Sequence, residues 1–527
     1  MPASPSSGGA RWADFERPVL PDLVAGLSVA LVLIPQSLAY ASLAGLPPVF
    51  GLYASVLPPI LAAFFASSRY LQTGPVAVTS LLTLAALSAV AQPGSAQYLQ
   101  LAPVLALVVG VLRLGIGLCR AGFVAYLMSQ PVLVGFTSAA ALLIIASQIP
   151  VLVGVPVQAG HELAQASQLI FQPARWSWQA VLIGLATVTV VVFGRRLHPL
   201  FPGVLVAAAG GIAYTHWGGG AAMPVVGALP PGFPHLTYAF EPAEVRQLLV
   251  PGLMIALIGF AEPSAIARAL ATRERQAWSA NQELVSQGVA NVAAAVSGAF
   301  PVGGSFSRTM VNRLAGGQTR WSGAITGLTV LAFLPFAHVL SELPRAVLGG
   351  IIVSAVLGLV QLDALRRLVA ISRPQALVGW TTFGLTLLLA PRVDIAVELG
   401  IGLGVAVHLW REREVHVAAR FDAATARLVL QPTGVLYFGS ANVVDEALLR
   451  ALAAHPGTTQ LLLDLHGLGR LDYTGALVLE RIARDAMRAG LVVEMDPGTH
   501  AHTRQLLRRV LDSAGTRVSW REGGAAG

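Results

Sequence analysis

Long apolar runs, separated by short polar loops, fill the chain from residue 22 to residue 410. A helix that crosses a bilayer needs about 20 apolar residues, and a half-helix needs fewer. The runs predict fourteen spanning segments, at residues 22–43, 49–66, 75–90, 101–118, 124–150, 178–193, 201–217, 248–261, 281–299, 305–314, 321–340, 345–360, 375–389 and 394–410. A loop rich in glycine and proline, residues 216–242, divides them into seven plus seven. Because seven is odd, we expect the second half to cross the membrane inverted relative to the first.

Two of the predicted segments follow glycine interruptions that occupy corresponding places in the two halves. A glycine–proline pair at residues 74–75 and a glycine pair at residues 303–304 each introduce the third segment of their half. Broken helices in matching positions are the best sequence indication of a transporter's binding site. The first segments of the two halves also align, so that Gln36, beside a helix break expected at Pro35, falls opposite Glu262.

Arg308 is the first candidate residue, because an arginine at membrane depth is expensive and marks a functional site by default. It follows the second interruption, where a helix is expected to restart. Free N–H groups and the positive dipole end of a helix start attract anions. The two interruptions thus predict an anion site between two helix N-termini, with backbone or hydroxyl contacts from Val76, Ala77, Ser305, Phe306 and Ser307. The alternatives for Arg308 are a structural salt bridge and a side chain that reaches out to the interface.

Glu262 is the second candidate, an acid that ends a short apolar stretch, residues 253–261, just before a proline. A buried acid that can be neutralised is a typical proton carrier. The carboxylate could instead pair with Arg308, ligate a sodium ion or be merely structural. Gln36 and Tyr40 lie one helical turn apart on the first segment, so both could contact substrate oxygens. They could equally fill a helix break with hydrogen bonds.

The pattern changes after residue 410, where short apolar strands alternate with amphipathic helices. Strands are predicted at residues 427–430, 434–439, 459–465 and 491–495, and helices at 443–454, 474–489 and 502–514. This alternation is typical of a small α/β domain. We therefore expect a cytoplasmic N-terminal segment (1–21), a transmembrane domain (22–410) and a soluble domain (411–527).

Composition agrees with a polytopic membrane protein, since 55% of the residues are hydrophobic and only 11% are charged, against about 25% in soluble proteins. The net charge of +8 comes from arginine, because the chain has no lysine. The positive-inside rule accounts for these arginines, so no nucleic-acid binding is predicted. With the N-terminus inside, the inner loops are expected to hold Arg69, Arg113, Arg120, Arg195, Arg196, Arg268, Arg273, Arg275, Arg313, Arg320, Arg366, Arg367 and Arg373. The outer loops would hold only Arg175, Arg246, Arg345 and Arg392.

The remaining chemistry-bearing residues predict no enzyme. Cys119 is the single cysteine, which excludes an intrachain disulfide and a cysteine-cluster metal site. The sequence contains no nucleotide-binding loop, nucleophile motif or pair with metal-ligand spacing. We therefore predict no enzymatic activity, no cofactor and no metal.

Several motifs resemble those of the SulP anion permeases, a family of bacterial and plant sulfate permeases with animal relatives. They are Ile34-Pro-Gln-Ser-Leu-Ala-Tyr40, Gly45-Leu-Pro-Pro-Val-Phe-Gly-Leu-Tyr53, Gly74-Pro-Val-Ala-Val-Thr-Ser80, Gln282-Glu-Leu-Val-Ser-Gln-Gly-Val-Ala-Asn291 and Pro301-Val-Gly-Gly-Ser-Phe-Ser-Arg308. The C-terminal domain resembles a STAS domain through Asp464 and Leu471-Asp-Tyr-Thr-Gly475, where Thr474 is expected to cap the following helix. The resemblance implies fourteen spans in two inverted repeats, a core and a gate domain, a homodimer, an elevator-like movement and a place for Glu262 beside the substrate.

The resulting prediction is a secondary active transporter of small anions in the cell inner membrane, with both termini and the STAS domain in the cytoplasm. The expected substrate is sulfate, bicarbonate or a dicarboxylate, and the expected coupling ion is a proton. The alternatives are an anion exchanger, a sodium-coupled symporter, a passive channel or uniporter, and a sensor whose membrane part only anchors a signalling domain. The expected partners are the anion, the coupling ion, the lipid bilayer and a second copy of the chain.

Overall fold

The computed structural model describes residues 17–126, 128–156, 162–219, 223–230, 232–234, 236, 240–412, 415–437, 441–498 and 501–521. The chain divides into two compact units, the first up to Ile401 and the second from Gly402.

Helices make up nearly all of the larger unit, as the apolar runs predict. Its first half contains α1 (Leu20–Leu43), α2 (Val49–Tyr53), α3 (Leu57–Phe65), β1 (Gln72–Gly74), α4 (Ala77–Ser88), α5 (Ala96–Leu118), α6 (Gln130–Leu152), α7 (Glu162–Ile170), α8 (Trp178–Leu197) and α9 (Gly203–Tyr214). Its second half contains α10 (Pro242–Gln247), α11 (Leu249–Arg273), α12 (Ala280–Val296), β2 (Gly303–Ser305), α13 (Phe306–Leu314), α14 (Trp321–Phe333), α15 (Arg345–Val356), α16 (Leu362–Ile371), α17 (Arg373–Leu388) and α18 (Val393–Glu412), the last of which continues past Ile401. Each of the fourteen predicted segments contains a helix, so the prediction of a polytopic helical membrane protein is confirmed.

Helix length separates full spans from half-helices. Eight helical stretches among the described residues are long and apolar enough to cross a bilayer. The helices that follow the two glycine interruptions are much shorter, with 12 residues in α4 and nine in α13. The interruptions therefore start two half-helices, as the sequence predicts.

The packing of the helices repeats between the two halves. α1 packs on α14, and its counterpart α11 packs on α5; likewise α3 packs on α14, and α12 packs on α5. The contact of α1 with α13 has its counterpart in that of α11 with α4, and the contact of α6 with α17 in that of α15 with α8. Exchanging the halves thus maps one set of contacts onto the other, which is the arrangement of two inverted repeats. The short amphipathic helices α7 and α16 also occupy equivalent places in the chain.

Two helices continue through prolines that were expected to interrupt or end them. α1 is helical throughout with Pro35 inside it, so the predicted break is wrong. α11 likewise runs through Pro263 to Arg273, and Glu262 lies within a helix rather than at the end of a short one. A proline leaves the carbonyl four residues earlier without its helical N–H. Neighbouring helices tolerate this inside a membrane protein, where packing can satisfy the freed group.

Glycine brings α5 and α12 into unusually close contact. A Cβ added at Gly110 would lie 2.7 Å from the backbone N of Val292, and one added at Gly288 would lie 2.7 Å from the backbone N of Leu114. Both neighbours are main-chain atoms that cannot move aside. Small residues at such crossings let two membrane helices approach within backbone contact, and this fixes the position of the chain that leads from α12 to β2.

The smaller unit is the predicted α/β domain. It contains β3 (His416–Asp422), β4 (Arg427–Leu436), α19 (Ala441–Ala454), β5 (Gln460–Asp464), β6 (Leu468–Leu471), α20 (Tyr473–Arg488), β7 (Val492–Asp496), α21 (Ala501–Ser513) and β8 (Ser519–Trp520). The sheet order is β3-β4-β5-β7-β8, with β6 also paired to β4; among these described strands, β3 and β4 pair antiparallel and the other pairs are parallel. Two strands predicted at 427–430 and 434–439 are one continuous strand, β4; residues 438 and 439 lie outside the described part.

The loop before α20 differs from the prediction in one detail. The cap of this helix is Asp472, whose Oδ1 accepts a hydrogen bond of 2.7 Å from the backbone N–H of Gly475. Thr474 lies inside the first turn, so the expectation that it caps the helix is wrong. An aspartate caps better than a threonine because its charge also meets the positive end of the helix dipole.

Candidate functional site

The two glycine interruptions lie against each other. β1 and β2 form a short antiparallel ribbon, in which Gln72 is opposite Ser305, Thr73 is opposite Gly304, and Gly74 is opposite Gly303. The ribbon has buried residues throughout. Strand pairing satisfies the main-chain groups that the broken helices leave open, which is obligatory at membrane depth. The two halves of the chain therefore meet at the two glycine interruptions, the place that the sequence predicts for the binding site.

A helix starts directly after each strand of this ribbon. α4 begins at Ala77 after an extended Val76, and no side chain caps its first turn. α13 begins at Phe306 after Ser305, whose Oγ accepts from the backbone N–H of Arg308 at 3.5 Å. Helix starts present unpaired N–H groups and a partial positive charge. Both therefore bring positive potential to the ends of the ribbon.

Arg308 is the central charged residue of this region. Its side chain is fully buried, and Nε, Nη1 and Nη2 of the guanidinium have no hydrogen-bond partner among the described residues. A Cβ added at Gly74 would lie 3.3 Å from Arg308 Nη2, so the guanidinium lies against β1. Removing an unpaired charge from water is costly, and such a charge attracts an anion strongly. A structural salt bridge, the alternative considered for Arg308, is not found in the described part of the chain.

Two candidate polar side chains lie within electrostatic range of Arg308. The phenol of Tyr40 on α1 is buried, and the carboxyl of Glu262 on α11 is partly exposed; both interact with the charge of Arg308. Gln36, also on α1, is buried, and its Oε1 has no hydrogen-bond partner among the described residues. The structure thus brings α1, α11 and α13 together around one guanidinium.

The other predicted contacts differ in exposure. Val76, Ala77 and Ser305 are nearly buried, with 8%, 7% and 6% of their surface exposed. Ser307 is partly exposed, while the side chain of Phe306 is 56% exposed. Phe306 can therefore contribute its backbone N–H at the start of α13 but does not close the site with its ring.

Arg113 is the functional candidate that the sequence reasoning missed. The prediction that Arg113 lies in an inner loop is wrong, because this residue lies within α5 and is fully buried. Its Nε, Nη1 and Nη2 donate hydrogen bonds to the carbonyl oxygens of Ala256 (3.2 Å), Val302 (3.0 Å) and Ile255 (3.1 Å). The signal was available, because an arginine inside an apolar run of spanning length is the criterion that selects Arg308.

Buried amides hold the ribbon in place. Asn291 pairs with both sides of Val302, accepting from its N–H at 2.9 Å and donating to its carbonyl at 3.0 Å. Gln287 donates to Thr73 Oγ1 at 2.8 Å. The backbone N–H of Gln72 donates to Thr309 Oγ1 at 3.0 Å. These bonds connect α12 and α13 to the ribbon, so the helix starts have fixed positions.

A cavity of about 190 Å³ lies between the start of α6 and one face of α11. Its lining consists of Met128, Ser129, Gln130, Leu133, Ala261, Ser264, Ala265 and Arg268. The four residues from α11 recur at helical spacing and share a face next to Glu262. The cavity thus separates α11 from the start of α6.

Two family models match the chain. The model of the sulfate permease family matches residues 19–382, and that of the STAS domain matches residues 417–506. The chain is 31% identical to the probable sulfate transporter Rv1739c of Mycobacterium tuberculosis over 517 residues, which is 94% of this chain and 91% of that protein. It is also 31% identical to the chloroplastic sulfate transporter 4.1 of Arabidopsis thaliana, over 79% of this chain and 62% of that protein.

Two solved structures show the same fold. The murine Solute Carrier 26 family member A9 anion transporter in the inward-facing state has a TM-score of 0.85 at 20% identity, covering 94% of this chain and 89% of that one. The transmembrane domain of the cyanobacterial bicarbonate transporter BicA has a TM-score of 0.63 at 23% identity, covering 72% of this chain and 96% of that one.

Proposed function

This chain belongs to the sulfate permease family, and we propose that it is a secondary active carrier of small oxyanions. The observation that carries the proposal is the fully buried guanidinium of Arg308, which has no hydrogen-bond partner among the described residues. The anion binds between the starts of α4 and α13, where Val76, Ala77, Ser305, Phe306 and Ser307 supply N–H or hydroxyl donors. Gln36 and Tyr40 contact it from α1.

The proposed substrate class is sulfate, bicarbonate or a dicarboxylate. A planar guanidinium with two helix starts offers several donors to one set of oxygens, which suits an oxyanion better than a single-atom halide. The names of the relatives, sulfate transporters among them, agree with this class.

Coupling is assigned to a proton carried by Glu262. Its carboxyl is the acid whose charge interacts with Arg308, so its protonation and anion binding affect each other. With the carboxyl neutral, the positive potential at the site is larger and an anion binds more strongly. Proton and anion are thus taken up together and released together. Anion exchange, sodium coupling and passive transport are the competing mechanisms.

The proposed movement is elevator-like. The core comprises α1–α5 and α11–α14, which pack around the ribbon, and the gate comprises α6, α8, α9, α15, α17 and α18. The cavity between α6 and α11 supports this division, because a core that slides along the gate requires an incompletely packed contact.

The proposed location is the cell inner membrane, and the arginine asymmetry supports an orientation with both termini and the STAS domain in the cytoplasm. The proposed parts are an N-terminal segment (1–21), a transport domain (22–410) and a STAS domain (411–527). The working unit is a homodimer.

Uptake by the reconstituted full-length protein tests the proposal. Proteoliposomes receive labelled sulfate, bicarbonate and dicarboxylates, with and without a proton gradient. At least one anion is expected to accumulate with the gradient. Arg308→Ala should raise the concentration for half-maximal binding by on the order of tenfold or more, since charge-assisted hydrogen bonds contribute about 1.5–3 kcal/mol.

Arg313→Gln is the matched control. Arg313 lies on the same helix but pairs with Glu274 at 2.5 Å and is partly exposed. This variant should bind the anion as the unaltered protein does. Unchanged affinity in Arg308→Ala, or an equal loss in both variants, would place the anion elsewhere.

A further inference from the structure

Arg113 is a buried charge that the transport proposal does not use. All three of its guanidinium hydrogen bonds go to main-chain carbonyls, two on α11 and one at Val302. No acidic residue forms an ion pair with it in the part of the chain that the structure describes. Carbonyl oxygens solvate a cation, whereas a carboxylate would cancel its charge. The positive charge of Arg113 therefore remains inside the protein.

The position of this charge relative to the ribbon is defined by two glycines. A Cβ added at Gly259 would lie 2.7 Å from Arg113 Nη2 and 3.3 Å from Thr79 Oγ1. A Cβ added at Gly303 would lie 3.3 Å from the same Thr79 Oγ1 and 3.5 Å from the carbonyl of Gly259. Arg113 thus lies close behind β2 and the first turn of α4.

The two buried arginines lie at opposite strands of one ribbon. Arg308 Nη2 adjoins Gly74 on β1, and the group around Arg113 adjoins Gly303, which pairs with Gly74. Both charges therefore lie beside the ribbon from which α4 and α13 start. Charges in a low-dielectric interior act over longer distances than charges in water.

We infer that Arg113 is a permanent second cation of the anion site. It is a positioning residue that holds the chain at Val302, directly before β2, and raises the positive potential at the site without touching the substrate. The inference rests on the proposed function of the Arg308 site. It assigns this chain two fixed positive charges for one small anion, which favours divalent over monovalent substrates.

A purely structural role is weaker as an explanation of the charge. Asn291 already forms hydrogen bonds with both the N–H and the carbonyl of Val302, so the chain before β2 is held without a cation. Burying an arginine with no acid is costly, and a neutral amide could donate to carbonyls at a lower cost. An arginine at position 113, instead of a neutral amide, is explained if its positive charge contributes to anion binding.

The test compares two variants of the full-length protein with probes of different valence, sulfate and bicarbonate. Arg113→Gln keeps a donor but removes the charge. Because a Coulombic contribution scales with the charge of the ligand, affinity should fall on the order of tenfold for bicarbonate and on the order of a hundredfold for sulfate. Arg113→Lys keeps the charge and loses donors, so it should weaken both probes by the same factor.

Asn291→Ala is the control, since it removes hydrogen bonds to the backbone of the same residue, Val302, without changing any charge. Its affinity losses should be equal for the two anions. Equal losses in Arg113→Gln would overturn the inference and leave Arg113 with a structural role. Should Arg113→Gln not yield folded protein, Arg113→Lys decides alone, because a valence-dependent loss in that variant contradicts the inference.

Different experimental outcomes would refute the proposed function and the proposed role of Arg113. If the unaltered protein binds none of sulfate, bicarbonate and the dicarboxylates, or if Arg308→Ala binds the anion as well as the unaltered protein does, the proposed function is wrong. If Arg308→Ala loses affinity while Arg113→Gln shows no valence dependence, only the role of Arg113 is wrong.

Discussion

Arg113 and Arg308 are both fully buried, and their surroundings differ in a way that matters for function. Arg113 donates to three carbonyls, whereas the guanidinium of Arg308 has no donor–acceptor contact among the described residues. The first is therefore solvated by the protein, and the donors of the second remain available, which is why the proposed function assigns the anion to Arg308. Glu262 is the acid whose charge interacts with Arg308, so the response to protons is expected from this residue.

Glu262→Gln is expected to abolish the effect of a pH gradient on anion accumulation. The amide has similar shape to the acid but cannot carry a proton, so anions should equilibrate across the membrane without being concentrated. Uptake of labelled anion by proteoliposomes with an acidic exterior measures this. Downhill flux should persist, since Arg308 is unchanged.

Glu241→Gln, at an exposed position before α10, provides the comparison and should leave gradient-driven accumulation intact. If Glu262→Gln still accumulates the anion in response to the gradient, proton coupling through this carboxyl is refuted.

The helices α5 and α12 determine how accurately the ribbon is placed. Gly110 and Gly288 permit backbone contact between them, and Arg113 and Asn291 extend from the same two helices to Val302. A change in the spacing of this pair would therefore displace the start of α13. The sequence shows glycines in these helices, but their partners become known only from the packing.

Gly110→Val is expected to destabilise the protein by about 1–3 kcal/mol, the usual cost of overpacking a tight core contact. The added Cβ would lie 2.7 Å from the backbone N of Val292, which cannot move aside. Thermal unfolding in detergent measures the loss, and anion affinity should fall with it.

Gly115→Val is the same substitution on the same helix, at an exposed glycine whose Cβ would have no neighbour within 4 Å. Its effect on the free energy of unfolding should be small and, if anything, stabilising, since valine has a helix propensity a few tenths of a kcal/mol better than glycine. Similar losses in both variants would argue against close packing at Gly110.

At the scale of the whole molecule, the packing of the helices repeats between the two halves, around the ribbon and around α6 and α15. The resemblance of the motifs to a permease family and to a STAS domain is confirmed by the family models, and the solved structures share the fold. Elevator-like movement stays a prediction, which requires that α11 slide past α6.

Cross-linking α6 to α11 is expected to stop transport. In a Cys119→Ser background, Leu133→Cys and Ala265→Cys would place two thiols in the lining of the same cavity. A short cleavable thiol reagent should block uptake, and cleavage should restore it. Either cysteine alone should leave uptake unchanged after the same treatment. Full transport by cross-linked protein would rule out a sliding core.

The sequence by itself determined the membrane class, the helical segments and the two interruptions, because hydrophobic run length and the chemistry of glycine and proline are local properties. It also selected Arg308 and Glu262, since charges in apolar runs stand out without any structure. Arg113 meets the same criterion, but its assignment to an inner loop removed it from the candidate site residues.

Tertiary structure alone decided which groups meet. The carbonyl partners of Arg113 lie 142, 143 and 189 residues away along the chain, and the strands β1 and β2 pair across the two halves. Pro35 and Pro263 remain inside α1 and α11, although proline is a poor helix former, as packed membrane helices tolerate. Such contacts depend on how the two repeats pack against each other, which cannot be derived from the spacing of residues along the chain. The ribbon with a buried arginine at each strand is therefore a property of the folded protein.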